Sequence, residues 1–232
     1  MSDFRVGSRV LPVTVRPHPR AKRMSLRVDP LQDRLLVVVP ASLSGPRADA
    51  LVGGFLRAQS EWISSRLKGL PDRIAFGDGS AVPFLDDVLT IAHQPEARRG
   101  VWRSGHRLCV SGPVEHLSRR VSDYLRQEAR QVLAKESRRH AETLGVSIGK
   151  VTVRDTRSRW GSCSAKGNLS YSWRLILAPS EVVRYVSAHE VAHRREFNHS
   201  PAFWRLVDSL VGDAAPARAW LSAHGADLHR YG

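Results

Sequence analysis

The sequence predicts an α+β protein in two domains. Residues 1–112 read as a β-rich half carrying one helix, and residues 113–232 as a half built from a long backing helix, a small sheet and a histidine-bearing helix. Three observations predict this. Short runs rich in β-branched residues, separated by Pro, Gly and Asp, fill most of the first half. A long helical stripe starts just after Gly112-Pro113. Beyond it, two more strand-like runs precede an apolar helix that holds most of the chain's recognisable chemistry.

In the first half, Val10-Leu11-Pro12-Val13-Thr14-Val15, Met24-Ser25-Leu26-Arg27-Val28 and Leu35-Leu36-Val37-Val38-Val39 are strands, and the basic turn Arg16-Pro17-His18-Pro19-Arg20 joins the first two. From Pro46 to Leu67 the period turns helical, with Leu51, Phe55, Trp62, Ile63 and Leu67 on one stripe. Gly53-Gly54 weakens this helix, and Gly69 and Pro71 end it. Two hairpins follow: Val82–Leu85 with Val88–Ile91 around Asp86-Asp87, and Gly100–Trp102 with Arg107–Val110 around Ser104-Gly105. Cys109 alternates with strand residues and reads as a small core side chain.

In the second half, Leu117, Val121, Tyr124, Leu125, Val132, Leu133 and Leu144 mark one face of a helix over 114–144 that ends at Gly145. His140 and Glu142, near its end, read as surface residues. Lys150–Asp155 is a strand, 157–164 a loop, and Asn168–Leu177 a second strand. Ser180 caps a helix that runs through His193, with Glu181 complementing its dipole. Ser200-Pro201 opens another, its apolar side Phe203, Trp204, Leu206, Val207 and Leu210, and Gly212 stops it.

Composition narrows the class. Apolar residues are 42 % and charged ones 25 % of 232 residues, a globular balance. Apolar runs fall short of the ~18 residues of a membrane span. Met1–Arg5 lacks the apolar core of a secretory signal. The two cysteines, Cys109 and Cys163, form no C-x-x-C pair, so a cytoplasmic chain with reduced thiols is expected. The net charge of +14 rests on 36 basic residues of which five are Lys. That admits a nucleotide or nucleic acid on a basic surface, but an Arg-biased composition gives the same count.

The chemistry concentrates at Ala188-His189-Glu190-Val191-Ala192-His193 and His199. On a helix, His189 and His193 stand one turn apart on one face, so both imidazoles reach one ion, and Glu190 points to the flank of that site. The pattern predicts one Zn²⁺, with a water activated by Glu190 attacking a carbonyl or phosphoryl group. A catalytic zinc takes a third protein ligand. His199 is the candidate if the chain turns at Phe197-Asn198, Asn tolerating the left-handed conformation. Glu196 is the rival if the helix runs straight. The stabiliser of the oxyanion is not fixed, and Arg157, Arg159, Arg174 and Tyr185 are its candidates.

With Arg159-Trp160-Gly161-Ser162-Cys163-Ser164, Gly167-Asn168-Leu169, Tyr171-Ser172-Trp173-Arg174-Leu175, Ala178-Pro179, His189-Glu190-x-x-His193 and Asn198-His199-Ser200-Pro201-x-Phe203-Trp204 together, the chain resembles the YgjP-like metallopeptidases. Its second half is similar to the SprT-type proteins. The resemblance spans nearly the whole chain and is most specific over 157–204. It implies zinc on His189, His193 and His199, Glu190 as base, and a zincin-like second half in which the strand near 169–177 is a sheet edge above the active-site helix. An extended peptide substrate could pair with such an edge. Arg157, Arg159, Trp173, Arg174 and Tyr185 are the candidate substrate contacts. The His spacing equals that of metzincins, but Glu196 stands where those enzymes have Gly, so the chain is not assigned to them. Cys163 could be a silencing fourth ligand, though a packed thiol is the expectation. The leading function is a zinc metallopeptidase. The alternatives are a metal-dependent nucleotide phosphoanhydride hydrolase and a nucleic-acid-associated protease.

Overall fold

The computed structural model describes residues 2–7, 9–29, 34–43, 46–68, 73–156 and 158–232. The chain divides into two units, Met1–Arg73 and Ile74–Gly232. The first holds strands β1 (Ser2–Val6), β2 (Arg9–His18), β3 (Ser25–Asp29) and β4 (Arg34–Pro40), then helices α1 (Pro46–Ala58) and α2 (Ser60–Lys68). The strand order is β1-β2-β4-β3, parallel only in the middle pair. Alternation along the strands puts Leu11, Val13, Leu35, Val37 and Val39 into one core with Val52, Leu56, Ile63 and Leu67. The expected single helix is two. Gln59 shares its N–H between the carbonyls of Phe55 and Leu56 where the two helices meet. The buried stripe is Val52, Leu56, Ile63 and Leu67, spaced on one helical face, so Leu51 and Trp62, expected on that stripe, are exposed. The proposed stops Gly69 and Pro71 lie outside the described residues.

The second unit opens with β5 (Ala81–Phe84), β6 (Asp87–Gln94), β7 (Val101–Ser104) and β8 (Arg107–Ser111), in the order β5-β6-β8-β7. Again only the middle pair is parallel. The strand plan of the first unit thus recurs, down to matching buried positions: Leu11 and Leu89 follow exposed Val10 and Val88, and Leu35 and Leu108 follow an arginine. This likeness explains why the expected boundary at 112/113 falls late. The strands over 81–111 resemble those of the first unit in sequence, yet Val82, Phe84, Leu89, Ile91, Leu108 and Val110 share their core with the long helix α3 (Leu117–Leu144). A boundary before 113 would cut through that core. The structure divides into its two compact units at 73/74 instead.

After α3 and its Gly145 cap at φ 63°, β9 (Val151–Arg154), β10 (Gly161–Cys163) and β11 (Leu169–Ser172) form a three-stranded sheet. A 3-10 helix, Trp173–Leu177, and helices α4 (Ser180–Ala192), α5 (Pro201–Val211) and α6 (Ala215–Leu228) complete the unit. Two expectations change here. The strand expected over 168–177 stops at Ser172, because Trp173–Leu177 are buried on every side and take a 3-10 turn that packs into the core. Within the sheet β11 is central, in the order β10-β11-β9, so it is not the edge the resemblance implied. The edges are β10 and β9. α6 had no counterpart in the sequence reading; it is weakly patterned and Ala-rich. No described helix is long and apolar enough to cross a membrane.

His140 was expected at the surface but is 1 % exposed. It sits on α3 against α4, hydrogen-bonded to the Arg184 carbonyl, and burial pushes its pKa down to about 4. The cap of α4 also differs. Ser180 donates its backbone N–H to Asp86 Oδ1 at 2.9 Å, so a carboxylate from the β5–β6 turn supplies the cap. Ser180's hydroxyl, with that backbone contact, holds the Asp86 carboxyl below its ordinary range.

Two outcomes are expected. Asp86→Ala removes the cap and lowers the unfolding free energy by about 1 kcal/mol, seen as a lower urea midpoint at unchanged slope; an unchanged midpoint refutes the cap. In metal-free protein, His140 takes its proton near pH 6.5 when unfolded but only near pH 4 when folded. Its stabilisation is therefore complete above pH 6.5 and drains as pH falls toward 4, by up to about 3 kcal/mol. His140→Gln should flatten that acid slope in denaturant titrations at stepped pH.

Candidate metal centre

α4 is apolar on most of its surface, and nine of its residues are buried. It packs against α3, α5, α6 and β10. A helix so enclosed can present polar groups only where its neighbours leave a gap, and His189, Glu190 and His193 stand there. The helix ends at Ala192, with His193 as its C-cap. Its termination takes Glu196 off the helical face and brings His199 back. Asn198 does not use the left-handed conformation, since Leu85 is the one positive-φ residue other than Gly among those described. Instead its Oδ1 accepts the Ser200 N–H at 3.3 Å, an Asx-type turn. Arg194 and Arg195 pin the same segment. Arg194 donates to the Ser147 and Ala165 carbonyls, each at 3.1 Å, and Arg195 to the Leu144 carbonyl.

The result is a cluster. One ligand nitrogen from each of His189, His193 and His199 lies within 4.8 Å of the others. His189 Nε2 and His199 Nε2 face each other at 3.0 Å. His193 Nδ1–H donates to the Glu196 carbonyl at 3.1 Å, which leaves its Nε2 lone pair free. Phe203, fully buried, backs all three rings at centroid distances of 4.7–4.8 Å. Burial pushes His189 down to about 4, aided by its two histidine neighbours, and lowers His193 for the same main reason. Neutral imidazoles with converging lone pairs are a metal-ligating donor set. Among the described residues Cys163 is outside this group, and burial pushes its thiol up rather than toward thiolate.

Glu190 is 6 % exposed, and burial pushes its carboxyl up to about 7 against the pull of Arg159. Across from it runs β10. A Cβ on Gly161 would stand 2.5 Å from Glu190 Oε1, so only glycine lets this backbone come so close. Of the remaining candidates, Tyr185 meets the His189 ring edge-on at 5.9 Å, and Arg159 is exposed beside Glu190. Trp173 and Arg174 do not reach solvent. Trp173 is core at 2 % exposure. Arg174, at 3 %, binds Asp155 at 3.2 Å, the Leu228 carbonyl at 3.1 Å and the Tyr231 carbonyl, tying the end of α6 to the end of β9. Neither is a substrate contact, because the 3-10 turn buries both. Arg157 lies outside the described residues. One residue was missed. Arg218, on the unforeseen α6, stacks on Trp204 at 4.1 Å and borders a cavity of about 590 Å³ with Tyr185 and Trp160.

A family model described as the YgjP-like metallopeptidase domain matches residues 22–224. The chain belongs to that family. Membership makes it a metallopeptidase that carries a metal ion, and the three-His group could hold one. Among solved structures the chain is similar to the crystal structure of the metallopeptidase zymogen of Pyrococcus abyssi abylysin, at 22 % identity and a TM-score of 0.37, covering 43 % of this chain and 97 % of that one. No curated protein matches the chain.

For this YgjP-like chain, Gly161→Ala is expected to push Glu190 aside and cut peptidase turnover roughly 10–100-fold. Its metal content should match wild type by elemental analysis. Full turnover in Gly161→Ala would show that the close approach is incidental.

Proposed function

We propose that the chain is a zinc peptidase whose ion is held by His189, His193 and His199 and whose general base is Glu190. The observation that carries this is the convergence of three neutral imidazoles beside a buried carboxyl on the same helix turn. Three nitrogen donors with a position left over suit a catalytic zinc. When bound, the metal supplies Lewis acidity that acidifies a water and polarises a carbonyl.

The chain's own groups do the rest. The His193–Glu196 hydrogen bond fixes one ring, and Phe203 holds the three rings in place. Glu190, its carboxyl near neutrality, takes a proton from the attacking water and delivers it to the leaving amine. Tyr185 and Arg159 flank the site and are the substrate contacts. β10, as a sheet edge beside Glu190, offers backbone groups to an extended peptide.

Glu190→Gln should retain zinc and lose hydrolysis of unfolded protein by at least about 100-fold. Hydrolysis at the wild-type rate would remove Glu190 from the mechanism. His199→Ala should lose zinc by elemental analysis while Glu196→Ala keeps it; the reverse moves the third ligand to Glu196. Turnover of nucleoside triphosphates in place of protein by the zinc-loaded wild type would replace the peptidase reading with phosphoanhydride hydrolysis.

A further inference from the structure

The outer face of the three-stranded sheet has a chemistry that the site so far does not use. Along β9 and β11 the apolar residues Val151, Val153, Leu169 and Tyr171 pack on the core. The residues between them face outward, and Thr152, Ser170 and Ser162 fall in register across the three strands as a row of hydroxyls. Lys150 flanks the row at one end. Arg154 flanks it at the other, and Arg159 enters from the loop before β10. Together these residues line a groove of about 630 Å³.

The groove lining holds three cations and no carboxylate or aromatic ring. Lys150, Arg154 and Arg159 form no ion pair among the described residues. Asp155, adjacent to Arg154, is taken by Arg174 at 3.2 Å and Arg126 at 3.9 Å. A sheet face that merely meets water has no reason to exclude acids. One that gathers three cations with no carboxylate in its lining is built to receive anions.

We propose that this groove is a subsite for acidic side chains of the polypeptide substrate, so that the enzyme selects segments rich in Asp and Glu. The proposal rests on the peptidase reading above and names its substrate class. Two observations favour a polypeptide over a nucleic acid. The groove offers no ring on which a base could stack. It also runs along β10, the edge whose Gly161 touches Glu190, so a chain extended on that edge arrives at the base.

The test uses the full-length, zinc-loaded Glu190→Gln protein and two labelled peptides of one sequence, with Glu or with Gln at alternate positions, followed by fluorescence anisotropy. The Glu peptide should bind about tenfold or more tightly, and added salt should shrink the difference. Lys150→Glu/Arg154→Glu should abolish the preference, while the same charge change on the exposed face of α3, Arg130→Glu/Lys135→Glu, should keep it. Equal affinities for the two peptides, or a preference that survives the groove variant, overturns the proposal. So does a single-stranded oligonucleotide that outcompetes the Glu peptide through the same two residues, since the groove is then a nucleic-acid site. Wild-type protein that cleaves neither peptide, with the binding preference intact, sinks the peptidase reading and leaves the groove standing.

Discussion

The site depends on the enclosure of one thirteen-residue helix, α4. It is surrounded by α3, α5, α6 and β10, and its burial is what gives its polar groups their character. Desolvation disfavours charge, so the same burial keeps His189 neutral and raises Glu190 toward neutrality. A ligand must offer a lone pair, and a base needs enough proton affinity to take a proton near neutral pH. One physical cause meets both needs, from opposite directions of shift.

The neighbours of α4 each fix one coordinate of the site. Asp86 caps its first turn from the β5–β6 turn, ninety-four residues away in sequence. Gly161 sets how closely the sheet edge lies against Glu190. Arg194 and Arg195 bind the carbonyls of three other segments and so hold the turn that returns His199 to the pair. Phe203 then fills the space beneath the rings. Three of these contacts are hydrogen bonds to backbone carbonyls, which fix the position of the turn.

The sheet beside α4 has two faces with separate duties. Its inner face completes the core through Leu169 and Tyr171, and the Tyr171 hydroxyl meets Ser137 of α3 at 2.9 Å. Its outer face carries Lys150, Arg154 and the hydroxyl row. Alternation along a strand allows this division, since neighbouring residues point to opposite sides.

The sequence by itself determined what depends on local order: the α+β class, the long helix to Gly145, the Ser200-Pro201 helix start, and the His-Glu-x-x-His turn, whose spacing alone puts two imidazoles on one face. Local pattern could not decide contacts between distant segments. Only the tertiary structure moved the unit boundary to 73/74, because sharing a core with α3 is not visible in strands that look like those of the first unit. It buried Arg174 and His140, whose polar side chains suggested exposure, and Trp173, a candidate substrate contact. It gave the cap of α4 to Asp86, made β10 the edge in place of β11, and brought His199, not Glu196, to the histidine pair. That placement turned on where a helix stops, which here is set by Arg194, Arg195 and Asn198 reaching partners beyond it. Helix periodicity specifies a face; packing specifies what stands opposite it.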